Sequence, residues 1–269
     1  MSIPVLIIGK SGTGKSTSLR NLNPDDCFLV QTIKKPLPFK SYKWQKWNAE
    51  RNEGSVIHTD DAKKMIHVIK MAKSKSRNIV IIDDFQYQMS NTFMRKAFEK
   101  GYDKFTGIAR DAWDICQAAI DEDSDIRIYI LSHTQEDEYG ENIKMKTIGK
   151  MLDDKITMEG MFSIVLRSAI DDGHYKFLTK NNGHDTVKTP MGLFESGECD
   201  NDLNMIDEKI CDYYHLVSTD ILEKEINQLL DNESDEYKKI VLSYVQKNKD
   251  NPSKLRSTIN KIKAKQGEE

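Results

Sequence analysis

Gly9, Lys10, Ser11, Gly12, Thr13, Gly14, Lys15 and Ser16 stand in the spacing G-x-x-x-x-G-K-[ST], with Thr17 next in line. That pattern suits a triphosphate. Glycines let successive backbone N–H groups curl around phosphate oxygens. Lys15 can reach the β- and γ-phosphates, and Ser16 can place a hydroxyl on Mg²⁺. The expected ligands are therefore ATP and Mg²⁺, cradled by residues 9–17. A chance glycine-rich turn is the alternative, and the flanks argue against it. Residues 3–8 read as a buried strand, and residues 17–22 can open a helix whose N-terminus adds partial positive charge.

A second constellation is Ile79-Val80-Ile81-Ile82-Asp83-Asp84. A β-branched run ending in carboxylates suits a strand buried on both faces, with its acids at the carboxyl end where open α/β sheets bind ligands. Asp83 is the expected Mg²⁺ ligand beside Ser16. Asp84 is the expected group for polarising the attacking water, although a glutamate is usual there and reaches further. A third is Ser132-His133-Thr134-Gln135, at the end of another apolar strand. His133 or Gln135 can sense a γ-phosphate there, or His133 is simply a surface histidine after a strand. No other histidine pair has metal-ligand spacing.

These groups need a scaffold, and the pattern supplies an alternating one. Strands are expected at 27–33, 78–84 and 126–132. Helices are expected at 60–73, capped by Asp60 or Asp61, and over 89–120 with a break near Gly101. Alternation of this kind makes an α/β fold with a mostly parallel sheet. From residue 139 the pattern shifts to an antiparallel β extension, with strand candidates at 161–168 and 174–179 and a short helix near 150–159. Residues from 201 onward form a helical appendage, broken near 231–232 and 251–252. The expected division is 1–200 and 201–269.

Composition narrows the class. The 269 residues are 38% hydrophobic and 31% charged, with a net charge of −3. No apolar run is long enough to span a membrane. The chain enters its first strand at Ile3, so no secretory leader is expected. Cys27, Cys116, Cys199 and Cys211 have no zinc-like spacing and read as reduced thiols of a cytoplasmic protein.

The order of Gly9–Ser16, residues 79–84, residues 132–135 and the antiparallel extension resembles a RecA-type P-loop ATPase core. More narrowly, it is similar to bacteriophage ATP-binding proteins of the RecA-like single-strand annealing class, within the wider AAA and RecA-type ATPases. The specific echoes are residues 97–105 (AFEKGYDKF), 146–152 (KTIGKML) and 188–192 (KTPMG). The likeness spans about residues 1–215. It implies an ATPase of phage recombination or replication that works on single-stranded DNA in a host cytoplasm, assembled as a ring or filament with other phage proteins as partners. It also implies two DNA-contacting loops, near 94–104 and 136–150. Arg95, Lys96, Lys100 and Lys104 populate the first, and Lys144, Lys146 and Lys150 the second. Lys180 and Lys188 occupy places from which such folds reach ATP in a neighbouring subunit, which makes Lys188 a catalytic candidate in trans.

Two basic stretches stand apart. Residues 34–51 carry Lys34, Lys35, Lys40, Lys43, Lys46 and Arg51 against Glu50, interleaved with Phe39, Tyr42, Trp44 and Trp47. The rings can stack on unpaired bases, or pack on the core or the adenine. The tail 238–265 holds nine basic residues against Asp250 alone; it is a nucleic-acid contact, a lid or a docking element. Two other functions compete with the DNA-dependent ATPase. One is a P-loop small-molecule or nucleotide kinase, against which the scarcity of arginine after Arg110 argues. The other is a nucleotide switch that loads a replication protein.

Overall fold

The structure is a computed structural model that describes residues 1–136, 142–149, 151–216, 219–231, 233–249 and 251–267, leaving aside the side chains of residues 153, 154, 220, 252 and 253. The chain divides into two compact units, Met1–Asn204 and Met205–Glu269.

The first unit is built on a nine-stranded, mostly parallel sheet. Its strands are β1 (Ile3–Gly9), β2 (Cys27–Gln31), β3 (Val56–His58), β4 (Ile79–Asp83), β5 (Arg127–Glu136), β6 (Ile143–Met145), β7 (Ile164–Asp171), β8 (His174–Leu178) and β9 (Glu198–Asp200). The order is β3-β2-β4-β5-β1-β7-β8-β9, with β6 hydrogen-bonded to the end of β5. β5 therefore lies between the strand that leads into the glycine-rich loop and the strand that ends in Asp83. Strands β3, β2, β4, β5, β1 and β7 run parallel; β6, β8 and β9 pair antiparallel.

Burial explains the apolar runs. Leu6, Ile8, Phe28, Val30, Val80, Ile82, Ile128 and Ile130 share a core with Met65 and Ile69 of α1 (Ala62–Met71), Met89 of α2 (Gln86–Arg95) and Ile108, Ala112 and Ile115 of α3 (Asp103–Ile120). Val5, Ile7, Leu29, Ile81, Tyr129 and Leu131, which alternate with them, are equally buried. A strand with no polar face belongs inside a parallel sheet. Asp61 caps α1 by accepting a hydrogen bond from the Lys64 N–H at 2.9 Å. The break expected near Gly101 falls between α2 and α3, and Gly101 has a φ of +98°.

Three expectations need correcting. The helix expected to open over 17–22 is a six-residue 3₁₀ helix, Ser16–Asn21, that goes no further. Asn23 and Pro24 follow at once and start another 3₁₀ turn, so the helix has no length in which to build a macrodipole. The expected strand at 126–132 runs on to Glu136, because its last residues pair with β6: Thr134 with Met145, Gln135 with Lys144. The short helix expected near 150–159 resolves into a single π-helical turn, Met151–Ile156, and a 3₁₀ turn, Met158–Met161. The edge strands β3 and β9, three residues each, carry too little periodicity to be read from sequence.

The second unit is helical. α4 (Leu203–Tyr213) spans the division, and α5 (Thr219–Leu230), α6 (Asp235–Lys247) and α7 (Pro252–Gln266) follow. Leu222, Ile226, Val241, Val245, Leu255, Ile259 and Ile262 make its core. Several of the tail's basic groups are engaged inside this unit: Arg256 with Asp212 at 2.7 Å, Lys263 with Glu225 at 2.8 Å, and Lys265 with Glu233 at 2.5 Å. Those pairs make α7 in good part a structural helix. Among the described residues no helix is long and apolar enough to cross a membrane.

Candidate functional site

The glycine-rich loop, Asp83, Asp84 and His133 converge at the carboxyl ends of β1, β4 and β5, where an open parallel sheet takes its ligands. Gly9 ends β1. The hydroxyls of Thr13 and Ser168 lie 2.7 Å apart beneath it, and a Cβ on Gly9 would stand 2.0 Å from Ser168 Oγ. Thr13 Oγ1 donates to Lys10 O at 2.8 Å, closing the loop on itself. Lys10 reaches outward to Glu136 at 2.6 Å. Ser11 and Gly12 are exposed, and Thr17 is half-buried behind the loop.

Lys15 is 5% exposed and donates from Nζ to Gly9 O at 2.7 Å and to Lys10 O at 2.9 Å. Both acceptors belong to the loop itself, so the ammonium lies inside the cradle whose ligand it would meet. Burial pushes its pKa down to about 8, against the pull of Asp83 and Asp84. Ser16 Oγ donates to both carboxylate oxygens of Asp83, at 2.9 and 3.0 Å. Asp83 is 1% exposed, and its pKa is pushed up to about 6, first by burial and then by the neighbouring charge of Asp84. The hydroxyl and carboxylate expected to share Mg²⁺ therefore touch one another. Among the described residues no three His, Cys, Asp or Glu side chains cluster to hold a metal alone. Two hard oxygen ligands completed by phosphate and water suit Mg²⁺, which keeps its waters.

Asp84 adopts the left-handed conformation, with φ +58°. This costs a non-glycine residue on the order of 1–2 kcal/mol, and Asp is among the few that tolerate it. Thr32, at the end of β2, anchors the turn by donating from Oγ1 to Asp83 O at 3.0 Å and Asp84 O at 2.8 Å. The turned carboxylate meets the Lys35 ammonium and lies 3.6 Å from His133 Nε2. Burial works against its ionised form, but His133 and Lys35 outweigh burial and hold the carboxyl below its ordinary value. Lys35 in turn loses to burial and gains more from Asp84 and Asp83, so its pKa is raised. The backbone N–H of His133 donates to Gln86 Oε1 at 3.1 Å. Gln135, two residues further along β5, is in register with Lys144 of β6.

The sequence reading missed four participants. Thr32 and Lys35 follow β2, Ser168 lies within β7 and Asn201 follows β9, and no local motif marks them. Asn201 is buried beside Gly14, with neither amide atom hydrogen-bonded. Gly14 has φ +93°, and a Cβ there would stand 2.8 Å from Tyr175 Cδ1 and 2.9 Å from Asn201 Oδ1. Gly12, at φ +79°, has open space around the same position. Gly12→Ala is therefore expected to cost about 1–2 kcal/mol for the left-handed backbone alone, and Gly14→Ala distinctly more, with loss of the cradle's shape. Melting temperatures of the two variants beside the wild type check this; equal losses would reject the packing argument.

The other expected site residues separate into groups. Lys96 ends α2 with Glu99 at 3.9 Å, and Lys104 lies over the rings of Phe93 and Phe105 at 5.4 and 5.2 Å. Lys100 is exposed between Phe98, 99% exposed, and Tyr102, 88% exposed. Arg95 is paired with Asp60 at 2.7 Å. Lys144 and Lys146 flank Met145 on β6, whose N–H donates to the buried Glu159 carboxylate at 2.6 Å. Lys150 lies outside the described residues, as do 137–141 of the second loop. Lys188 pairs through its backbone with Val165, in the first half of β7, and does not join the cluster around Lys15. Lys180 is exposed and donates to Glu195 O at 2.8 Å. In residues 34–51, Trp47 packs on Phe28 at 4.8 Å with Arg77 against both rings, whereas Trp44 meets only Phe39 at 6.3 Å among described ring pairs. No protein-family model matches this chain, and no curated protein matches it.

Proposed function

We propose that this chain binds Mg²⁺-ATP at residues 9–17 and hydrolyses it, as a RecA-type ATPase of the phage recombination or replication kind acting on single-stranded DNA. The observation that carries the nucleotide reading is the buried contact of Ser16 with Asp83, beside a lysine held inside the loop. Mg²⁺ held by Ser16 and Asp83 would supply charge neutralisation and orientation of the phosphate oxygens. Lys15 exchanges its two carbonyl acceptors for β- and γ-phosphate oxygens. Asp84 takes the proton of a water whose oxygen bonds to the γ-phosphorus as the bond to the bridging oxygen breaks, giving ADP and phosphate. His133 stands beside Asp84, where it can report the γ-phosphate to β5 and so to β6. The strand order supports a RecA-type core, because β5 inserts His133 between the loop strand and the Asp83 strand.

Action on single strands is supported by the 94–104 segment. Phe98 and Tyr102 are nearly fully exposed on either side of Lys100, a pairing of rings and charge that suits unpaired bases. Assembly into a ring or filament, with Lys188 serving a neighbour's ATP, belongs to the same proposal. The test is ATP binding and hydrolysis with and without single-stranded DNA, over a salt series, beside the mass of the complex by light scattering. Each lost phosphate contact flattens the log affinity against log salt slope by about 0.7, so Lys100→Ala with Lys146→Ala should flatten it by up to about 1.4 by the same relation. Their ATP affinity should stay at the wild-type value. A weak, salt-insensitive interaction by a monomer would reject the DNA reading and favour a small-molecule or nucleotide kinase. ATP binding with no turnover would favour a loading switch.

A further inference from the structure

A cleft of about 380 Å³ opens at the carboxyl ends of β2 and β3, beside β4, the strand that ends in Asp83. Its floor is Gln31, which pairs in register with Asp83 and donates from Nε2 to Lys35 O at 3.2 Å. Its walls carry Lys34, Lys35 and Lys46 together with Trp44 and His58. Lys34 and Lys46 are exposed and have no acidic partner among the described residues. Their fields, after burial, hold the His58 pKa down, so the cleft is a region of positive potential. Of the two tryptophans in this segment, Trp47 is used up in the core, and Trp44 is the half-buried ring at the cleft. The volume is within the range of small-ligand sites. Positive charge beside an aromatic face selects a ligand that is both anionic and flat.

Lys35 belongs to two places at once. It lines this cleft, and its ammonium is the partner of Asp84. We propose that the cleft binds a nucleoside phosphate, either one unit of a single strand or a free mononucleotide, and that its phosphate draws Lys35 away from Asp84. The base lies against Trp44, and Lys34 and Lys46 hold the phosphate. With the cleft empty, Lys35 occupies the carboxylate that hydrolysis needs as a proton acceptor. With the cleft filled, that carboxylate is free to receive a proton from water. The coupling rests on the role of Asp84 proposed above, but the binding site does not.

The binding arm uses a short labelled oligothymidylate without ATP, followed by anisotropy, with unlabelled thymidine monophosphate as competitor. Trp44→Ala should weaken affinity about tenfold or more, and Trp44→Phe should retain most of it. Lys34→Ala with Lys46→Ala should flatten the salt slope by up to about 1.4. None of these variants should change ATP affinity or basal turnover. Thymidine monophosphate that competes at equal nucleotide concentration identifies a free nucleotide as the source; failure to compete, with the strand still bound, identifies the strand. The coupling arm is ATP turnover. The bound ligand should raise it in wild type and not in Trp44→Ala, and Lys35→Met should turn over at a rate that no longer depends on the ligand. Unchanged oligothymidylate affinity in Trp44→Ala and in the Lys34 and Lys46 double variant would overturn the site. Equal competition by an acidic peptide such as polyglutamate would also overturn it, since it would show that the ring reads nothing. Ligand binding lost in these variants with turnover unaffected by ligand in wild type would overturn the coupling. A wild type that fails to bind ATP would sink the ATPase reading while leaving the cleft measurable.

Discussion

Lys15→Ala is expected to lose ATP binding by about a hundredfold or more, from two charge-assisted hydrogen bonds at about 1.5–3 kcal/mol each. Turnover should fall below detection. The present partners of its ammonium are Gly9 O and Lys10 O, both carbonyls of the loop, which polar phosphate oxygens can replace without moving the lysine far. Because the substitution removes a cation from beside Asp83 and Asp84, the fold must be checked by circular dichroism and melting temperature. Unchanged ATP affinity with the fold intact would remove the loop from the nucleotide site. The pH dependence gives an independent readout. Burial holds the folded Lys15 pKa at about 8, below its ordinary value of 10.5. Between those values the unfolded chain binds the extra proton, so this group makes the nucleotide-free protein gain stability as pH rises through that window. Bound phosphate restores the charge. ATP binding near and above pH 8 should therefore take up a proton, seen as a heat that depends on buffer in calorimetry, and Lys15→Ala should abolish the uptake. ATP affinity should decline as pH rises beyond about 8.

How much of this was legible in the sequence follows from where the information is stored. The cradle and the Ile79–Asp83 strand are contiguous, and each motif carries its own context: an apolar strand, then the residues that bind. The α1 cap and the break at Gly101 are local as well. What stayed hidden depends on distant partners. The left-handed turn at Asp84 is held by Thr32 and turned toward Lys35, and both lie some fifty residues earlier in the chain. Lys35 sits in a lysine run that reads as a solvated face, and only the parallel pairing of β2 with β4 brings it to the site. Asn201 and Tyr175 back the loop from the far side of the sheet order, and their spacing from Gly14 carries no signal. The shortness of the helix behind the loop has a simpler cause. Serine and leucine at 18–19 are compatible with a helix, and Asn23 and Pro24 stop it at once. Likewise, β5 outruns its apolar residues because β6 supplies backbone partners for polar ones, which hydropathy does not register.

Asp83→Asn is expected to separate stability from function. In the metal-free protein this carboxylate is buried, beside Asp84, with Ser16 Oγ as its hydrogen-bond donor and Lys15 and Lys35 nearby. Burial, then the charge of Asp84, lifts its pKa from an ordinary 3.8 to about 6. Between those two values the folded chain holds the proton more tightly than the unfolded one, so this group makes stability fall as pH rises through the window. Above it the full cost of an ionised carboxylate remains. Asparagine keeps an oxygen for Ser16 and carries no charge. The variant should therefore melt with the wild type near pH 4 and at a higher temperature from about pH 6 upward, both measured in chelator. Activity should move the other way. Changes to groups that merely orient a metal's ligands cost about 10–100-fold, and loss of a ligand itself should cost at least the upper end of that range. Mg²⁺-dependent ATP affinity and turnover should both drop accordingly. A fold that is strained without its metal and relieved by an uncharged substitute is what a site kept for chemistry rather than for stability would show. A lower melting temperature for Asp83→Asn across the whole pH range would mean that the carboxylate serves the fold. Mg²⁺ dependence equal to wild type would mean that the metal, if it binds, is held elsewhere.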